Sequence, residues 1–511
     1  MLRKHKRKQR KKLIKQNNHD LDFIINSEIK KSVLRTKFPK EIENNLYLLK
    51  EKESNSHIDL THIPFVTIDG KESRDFDDAV YANNTDNYTE IMVAVADVSY
   101  YVKENDTIDI EAKKRGNSFY LPNKVIPMLP ELLSNELCSL IPNKNRLCII
   151  VKVKVNKKGK IISSSIIRGK IRSVARLTYD EVEDYLEKKK KNYAEILKNL
   201  NEAYNILKID SEKRGKLDLD LEEFKIQYKK KKEDFFFIKK ISLKSEKIIE
   251  EFMILANKIV AEYFIDKKIK SLYRNHDKPS DEKLFKLKRF LDTIKVKFEF
   301  SKNLKNNELS KLIKSSKNNS YNPVKEMILR SQSKATYHYK NIGHFGLALK
   351  NYTHFTSPIR RYSDLIIHRN LSKNLFKEDI DYNFNISDSL CSHLLDQEKK
   401  GELLERTILE KACCLYLEKL KKNTFTGYVD GLTEFGLFIK AYELPFSGLV
   451  HLKDLTDDFY EFDTEKLCII GRNNAKLFKI GLKVTFKIKK VNINKGQIAL
   501  NRVNIVENKD D

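Results

Sequence analysis

Apolar residues between Phe65 and Val155 fall into runs of strand length separated by turn residues, and this pattern dominates the first third of the chain. Phe65–Ile68, Ala79–Tyr81 and the run IMVAVADV at Ile91–Val98 predict strands, with Gly70 turning the chain between the first two. Pro122, Pro127 and Pro130 then impose an extended path on residues 116–142. From Tyr179 to Asn201 the pattern turns helical and charged, and Ser245–Ile265 predicts the clearest helix. There Ile248, Ile249, Phe252, Leu255, Ala256, Ile259, Val260 and Phe264 share one broad stripe. In YTHFTSPIRRYSDLIIHR, residues 352–369, Ser357 predicts a helix cap followed by Pro358 in the first turn. Arg360, Asp364 and His368 then recur every four residues on one face. Phe425–Arg502 alternates in short segments broken by Gly427, Gly431, Gly436 and Gly448, which predicts a five-stranded OB-type barrel. Residues 1–60 show weakly helical patches at Leu21–Val33 and Pro39–Glu51 behind a basic start, expected as a disordered tail and short lead-in. The expected fold class is a mixed α/β (α+β) domain followed by an all-β OB-fold barrel.

Charge changes this picture by pointing to a partner. Lys and Arg number 99 against 72 Asp and Glu, a net +27 that suits a polyanion, nucleic acid first. The start MLRKHKRKQRKKLIKQ is expected either to add sequence-independent attraction for RNA or a ribosome or merely to keep the chain in solution. No run of 18 apolar residues predicts a membrane span, and no apolar stretch follows the basic start as a secretory signal requires. The six cysteines show no C-x-x-C pairing and lie in or beside apolar segments, as buried thiols of a reducing compartment would. A cytoplasmic monomer without membrane contact is expected.

Candidate chemistry concentrates in FVTIDGKESRDFDDAV, residues 65–80. Asp69, Asp75, Asp77 and Asp78 crowd there at a strand end. Four like charges so close repel unless a cation neutralises them, and hard carboxylate oxygens suit Mg²⁺ or Mn²⁺ better than zinc. A solvated acidic loop quenched by Lys71 and Arg74 is the structural alternative. Arg360 and Arg361 sit where helix-end N–H groups also favour an anion, so either a phosphate or a buried aspartate would satisfy them. Tyr120, and Phe435, Phe438 and His451 in the terminal segment, are candidate stacking partners for bases.

The motifs PFVTIDGKESRDFDDAV, VADVSYYV, RGNSFYLPNKVIPMLPELLSNELCSL, IIEEFMILAN and YTHFTSPIRRYSDLIIHR, in this order, resemble the RNB-family exoribonucleases from about His62 to Arg502. The resemblance implies processive 3′→5′ hydrolysis of single-stranded RNA with a free 3′ end, giving nucleoside 5′-monophosphates by a two-metal-ion mechanism with two Mg²⁺, or Mn²⁺. It implies an RNB-type catalytic domain over residues 61–412 and an S1-type RNA-binding OB fold over residues 423–505. It further implies Asp69, Asp75 and Asp78 as metal ligands, and Asp77 and Arg360 as catalytic residues. Tyr120, Glu251, Arg361, His368, Phe435, Phe438 and His451 are expected to meet RNA, with Glu250 as the alternative to Glu251. Two departures stand out. Only about sixty residues precede Phe65, where ribonuclease R-type chains carry cold-shock domains, and Leu219 stands where the family often has a base-clamping phenylalanine. An RNA-binding protein that has lost activity and a metal-dependent endonuclease are the rival readings, the first disfavoured by the intact aspartates and Arg360.

Overall fold

The computed structural model describes residues 20–188, 192–220, 222–229, 234–301, 304–316, 323–377, 386–464 and 466–506. The basic start, with its expected tail role, lies outside them.

The first apolar runs build a seven-stranded sheet. Its strands are β1 (Ile58–Asp59), β2 (Val66–Asp69), β3 (Asp78–Asn84), β4 (Thr89–Ala96), β7 (Asn145–Val155), β8 (Ile161–Arg172) and β9 (Ala175–Thr178), in the order β1-β8-β7-β4-β3-β2-β9. Between β4 and β7 in sequence, β5 (Phe119–Leu121) and β6 (Lys124–Ile126) form a separate hairpin. Pairing is antiparallel except at β1–β8 and β2–β9. β4 is central and all but one of its residues are buried, which is why its sequence reads as a continuous apolar run rather than an alternation. The β3–β4 register sets Asp78 opposite Val95, so the acidic segment begins at the same sheet end where β4 runs out.

Five helices matter for the argument: α1 (Leu21–Ser32), α2 (Thr107–Arg115), α3 (Lys244–Asp266), α4 (Tyr362–Asn374) and α5 (Asp388–Lys419). α3 buries its expected stripe in the same core as the sheet, with Phe252 and Phe264 fully enclosed. The terminal segment closes into a five-stranded barrel of Thr424–Thr433, Gly436–Ala441, Ser447–His451, Lys483–Asn492 and Gln497–Ile505. A three-stranded sheet, Tyr460–Asp463, Cys468–Gly471 and Leu477–Lys479, is inserted between the third and fourth of these.

Residues 20–32 do not behave as a tail. α1 is capped by Asp20, whose carboxylate accepts the Phe23 N–H at 2.6 Å, and it buries Leu21, Ile24, Ile25 and Ile29. Those residues join one apolar cluster with α5 and the barrel core, and Lys411 Nζ on α5 meets Glu28 at 2.8 Å. All six cysteines are free and buried. No helix among the described residues is long and apolar enough to cross a membrane.

Candidate active site

β2 ends at Asp69 and β3 starts at Asp78, so the loop between them is short and its path decides where four carboxylates point. It is held at several places. Arg176, on the neighbouring strand β9, donates from Nη2 to the carbonyl oxygens of Gly70 at 2.6 Å and Lys71 at 2.9 Å. The Ser139 hydroxyl accepts the Phe76 N–H at 2.9 Å and donates to the Arg74 carbonyl at 2.8 Å. The Ala96 N–H donates to the Asp77 carbonyl at 2.8 Å. A loop so tied positions its side chains as rigidly as a strand would.

A segment almost 300 residues later completes the site. The Ile359 N–H donates to Asp77 Oδ1 at 2.8 Å, and Arg360 Nε stands 3.4 Å from Asp77 Oδ2. Arg360 Nη2 also donates to the Ser357 hydroxyl at 2.9 Å, which fixes the guanidinium plane while 43% of its side chain stays exposed. The expected helix start at Ser357–Pro358 is corrected here: residues 358–360 form a turn, Arg361 takes the cap position and α4 begins at Tyr362. The cause is carboxylate competition for the backbone. Asp364 accepts the Ser357 N–H at 2.8 Å and Asp77 takes that of Ile359, so the turn's donors are satisfied without a helix.

Burial shapes the electrostatics. Asp77 is 5% exposed and its Oδ2, though close to Arg360, has no hydrogen-bond partner among the described residues. Desolvation pushes its carboxyl well above the usual range, with Arg360 opposing the shift. Burial, followed by the charge of Asp75, raises Asp69 to about 6, and burial, followed by the charge of Asp69, raises Asp78 to about 8. The Tyr120 hydroxyl donates to Asp75, and burial followed by that carboxylate's charge raises the phenol. Among the described residues no three His, Cys, Asp or Glu side chains close into a ready-made metal cage. The donor set nevertheless fits a hard divalent cation: all carboxylate oxygens, one of them buried and unbonded, in groups that resist ionising until a positive charge arrives.

The other expected residues divide. Tyr120 is 40% exposed and aimed at the aspartates. Phe435, Phe438 and His451 come together on the barrel, with Phe435 centroid distances of 6.5 Å to Phe438 and 6.4 Å to His451. Glu251 is buried on α3, where Lys216 Nζ meets it at 2.8 Å and Glu250 at 2.6 Å. Leu219 is half-buried against the cluster that contains Leu287 and Phe290. His368 is corrected from RNA contact to core: it is fully buried, stacked on Phe355 at 4.6 Å, with Nε2 2.9 Å from the Phe355 carbonyl. Arg361 is largely buried, and its Nη2 is committed to Asp364 at 2.8 Å. Of the structural alternatives for the two arginines, a buried aspartate is what each meets.

Two participants escaped the sequence pattern. Arg176 carries no motif, and only strand pairing brings it beside β2. Tyr179 follows β9 and feels Asp69, Asp78 and Glu246, all of which add to the upward push of burial on its phenol. The ionic centre of Asp97, His57 and Arg168, with Arg168 Nε 3.0 Å from Asp97, lies buried at the end of β4, and the Ser99 at that strand end donates to Asp97 at 2.6 Å.

Residues 57–377 match the RNB domain and residues 419–502 match the S1 RNA binding domain. The chain therefore belongs to the RNB family, here joined to an S1-type RNA-binding domain. It is 34% identical to ribonuclease R of Thermotoga maritima over 479 residues, which is 90% of this chain and 67% of that protein. It is likewise 34% identical to ribonuclease R of Escherichia coli, covering 90% of this chain and 60% of that one. The chain therefore spans only 60–67% of the length of these curated relatives. Mycoplasma genitalium RNase R, solved in complex with ribose methylated single-stranded RNA, superposes with a TM-score of 0.89 at 30% identity over 95% of this chain and 78% of that one.

Proposed function

We propose that the protein removes nucleotides one at a time from the 3′ end of single-stranded RNA, releasing nucleoside 5′-monophosphates. The observation that supports this most is the convergence of Asp69, Asp75, Asp77 and Asp78 with Arg360 across nearly 300 residues of chain. In this reading residues 61–412 perform catalysis, residues 423–505 hold the substrate, and the protein acts as a monomer.

Asp69, Asp75 and Asp78 would hold two Mg²⁺, with Mn²⁺ as substitute, and Asp77 completes the charge around the scissile phosphate. When bound, divalent cations supply the Lewis-acid charge that lets water displace a 3′ oxygen in line. Arg360, aimed at Asp77 yet partly exposed, offsets negative charge growing on the phosphoryl oxygens. Its orientation costs nothing at the moment of reaction, since Ser357 and Asp77 already hold it. Tyr120 orients Asp75 through its hydroxyl while its ring offers a face to a terminal base. Glu251 faces the RNA end once Lys216 yields one of its two carboxylates. Phe435, Phe438 and His451 give the barrel a stacking surface that tolerates any base. Leu219, with no aromatic face to offer, loosens the grip on the last nucleotides and lengthens the end product.

Incubation with linear and circular forms of one RNA tests the reading. Linear RNA is expected to yield mononucleotides and a short residual oligomer, while the circle stays intact. Cutting of the circle would indicate an endonuclease instead.

A further inference from the structure

A cavity of about 270 Å³ lies where α1, α2, α5 and the β5–β6 hairpin meet, and none of the four aspartates lines it. Its polar lining is one-sided: Arg35, Lys114, Arg115 and Lys400 bring positive charge, and no carboxylate lines it. Buried Glu111 pairs with two of these cations, accepting from Arg35 Nε and Nη2 at 2.8 Å each and from Arg115 Nε at 2.9 Å. Lys114 and Lys400 are left without a carboxylate partner among the described residues.

Donors remain to spare. Arg115 is spent on Glu111 and on the carbonyls of Pro127 and Lys37. Arg35 keeps Nη1 uncommitted, however, and Lys114, Lys400 and the side-chain amides of Asn117 and Gln397 make no hydrogen bond or ion pair among the described residues. Val33, 87% exposed, and Leu34 add an apolar rim on one side. Unpaired donors beside a small apolar surface suit an anion with a flat, weakly polar body. The volume lies just below the roughly 300–1,000 Å³ of drug-sized sites, which limits the guest to about one nucleotide.

The cavity wall is also part of the catalytic turn. Asn117 bridges to Arg361, the Ser118 N–H donates to the Arg360 carbonyl at 2.9 Å, and the Gly116 carbonyl accepts the Tyr362 N–H at 2.9 Å. Gly116 has φ +71°, and a Cβ there would meet Gln397 Cβ and Cγ at 2.9 Å, so the backbone must be bare for Gln397 to sit against it. Asn117 therefore lines the cavity while its neighbours Gly116 and Ser118 hold the backbone of Tyr362 and Arg360.

We propose that this cavity is a second, non-catalytic nucleotide site. It takes the phosphate monoester of a nucleoside 5′-monophosphate, and its occupancy acts on Arg360 through residues 116–118. The source can be free mononucleotide or the phosphates of an RNA chain; the small volume, about one nucleotide, favours the mononucleotide.

Equilibrium binding in EDTA, which removes cation-dependent binding at the aspartates, separates the possibilities. The probes are AMP, adenosine and the diester dinucleotide ApA, and the proteins are wild type, Asp77→Asn and the double variant Lys114→Glu/Lys400→Glu. AMP is expected to bind wild type and Asp77→Asn alike, and the double variant about tenfold more weakly or less still. Adenosine without phosphate is expected not to bind. Equal AMP affinity in all three proteins overturns the site, and tighter binding of ApA than of AMP overturns the monoester assignment. With RNA at saturation, where product no longer competes at the aspartates, AMP is expected to change the turnover rate of wild type and not of the double variant. An AMP response identical in the two overturns the coupling. The binding arm does not depend on RNA hydrolysis, so its failure and that of the proposed activity are told apart.

Discussion

Arg360 owes its placement to two contacts that a lysine could not both make. Its Nε faces Asp77 while Nη2 reaches Ser357, a fork that only a planar guanidinium spans. Arg360→Lys is therefore expected to lower kcat about 100-fold with little change in RNA affinity, read in single-turnover assays. The aspartates make a second prediction. Because burial raises Asp69, Asp77 and Asp78, the folded chain binds more protons than the unfolded one from the ordinary carboxylate range up to about pH 8. Cation-free stability should fall as pH rises through that window, and a divalent cation should restore it by displacing those protons. The rise in Tm on adding Mg²⁺ is thus expected to be larger at about pH 8.5 than at about pH 5.5; an equal rise at both would contradict it. The aspartates and Arg360 were visible in sequence because acidic crowding and a paired arginine are local signals. His368 was misjudged because four-residue spacing gives a helix face but not whether that face meets water or Phe355.

α1 and α4 mark what local pattern can and cannot fix. α3 follows its apolar stripe closely, since one long amphipathic helix needs only a core to face. The start of α4 was set four residues too early, because Ser357–Pro358 has the local form of a cap while the deciding carboxylates, Asp77 and Asp364, act from elsewhere in the fold. α1 was legible as helix but not as part of the core, since its partners on α5 lie almost 400 residues away. Its burial carries a prediction: Ile25→Ala, at a side chain 1% exposed, should cost about 2–5 kcal/mol in urea unfolding. A loss near zero would mean that α1 is dispensable to the fold. On the barrel, Phe435 is 54% exposed, so Phe435→Ala should leave Tm nearly unchanged while weakening single-stranded RNA binding by about 1–3 kcal/mol.

The catalytic sheet, the helices around it and the barrel carry a net charge of +27 with the rest of the chain, and RNA must pass such a surface to reach Asp77. If about six phosphates are engaged, the logarithm of the binding constant should fall with the logarithm of salt at a slope near −4; a flat dependence would remove charge from the account. Strands β2, β3 and β4 and the terminal barrel were legible in hydrophobic pattern, whereas the order of strands in the sheet and the meeting of residues 69–78 with 357–364 are properties of the whole fold that no local window contains. That meeting is tested most directly by following 5′-labelled single-stranded RNA with Mg²⁺, for wild type, for Asp77→Asn and for wild type in EDTA. Wild type alone should convert the label to a short end product, while Asp77→Asn still binds the RNA. Hydrolysis by Asp77→Asn at the wild-type rate, or RNA bound but left intact by wild type with Mg²⁺ or Mn²⁺, would contradict the account.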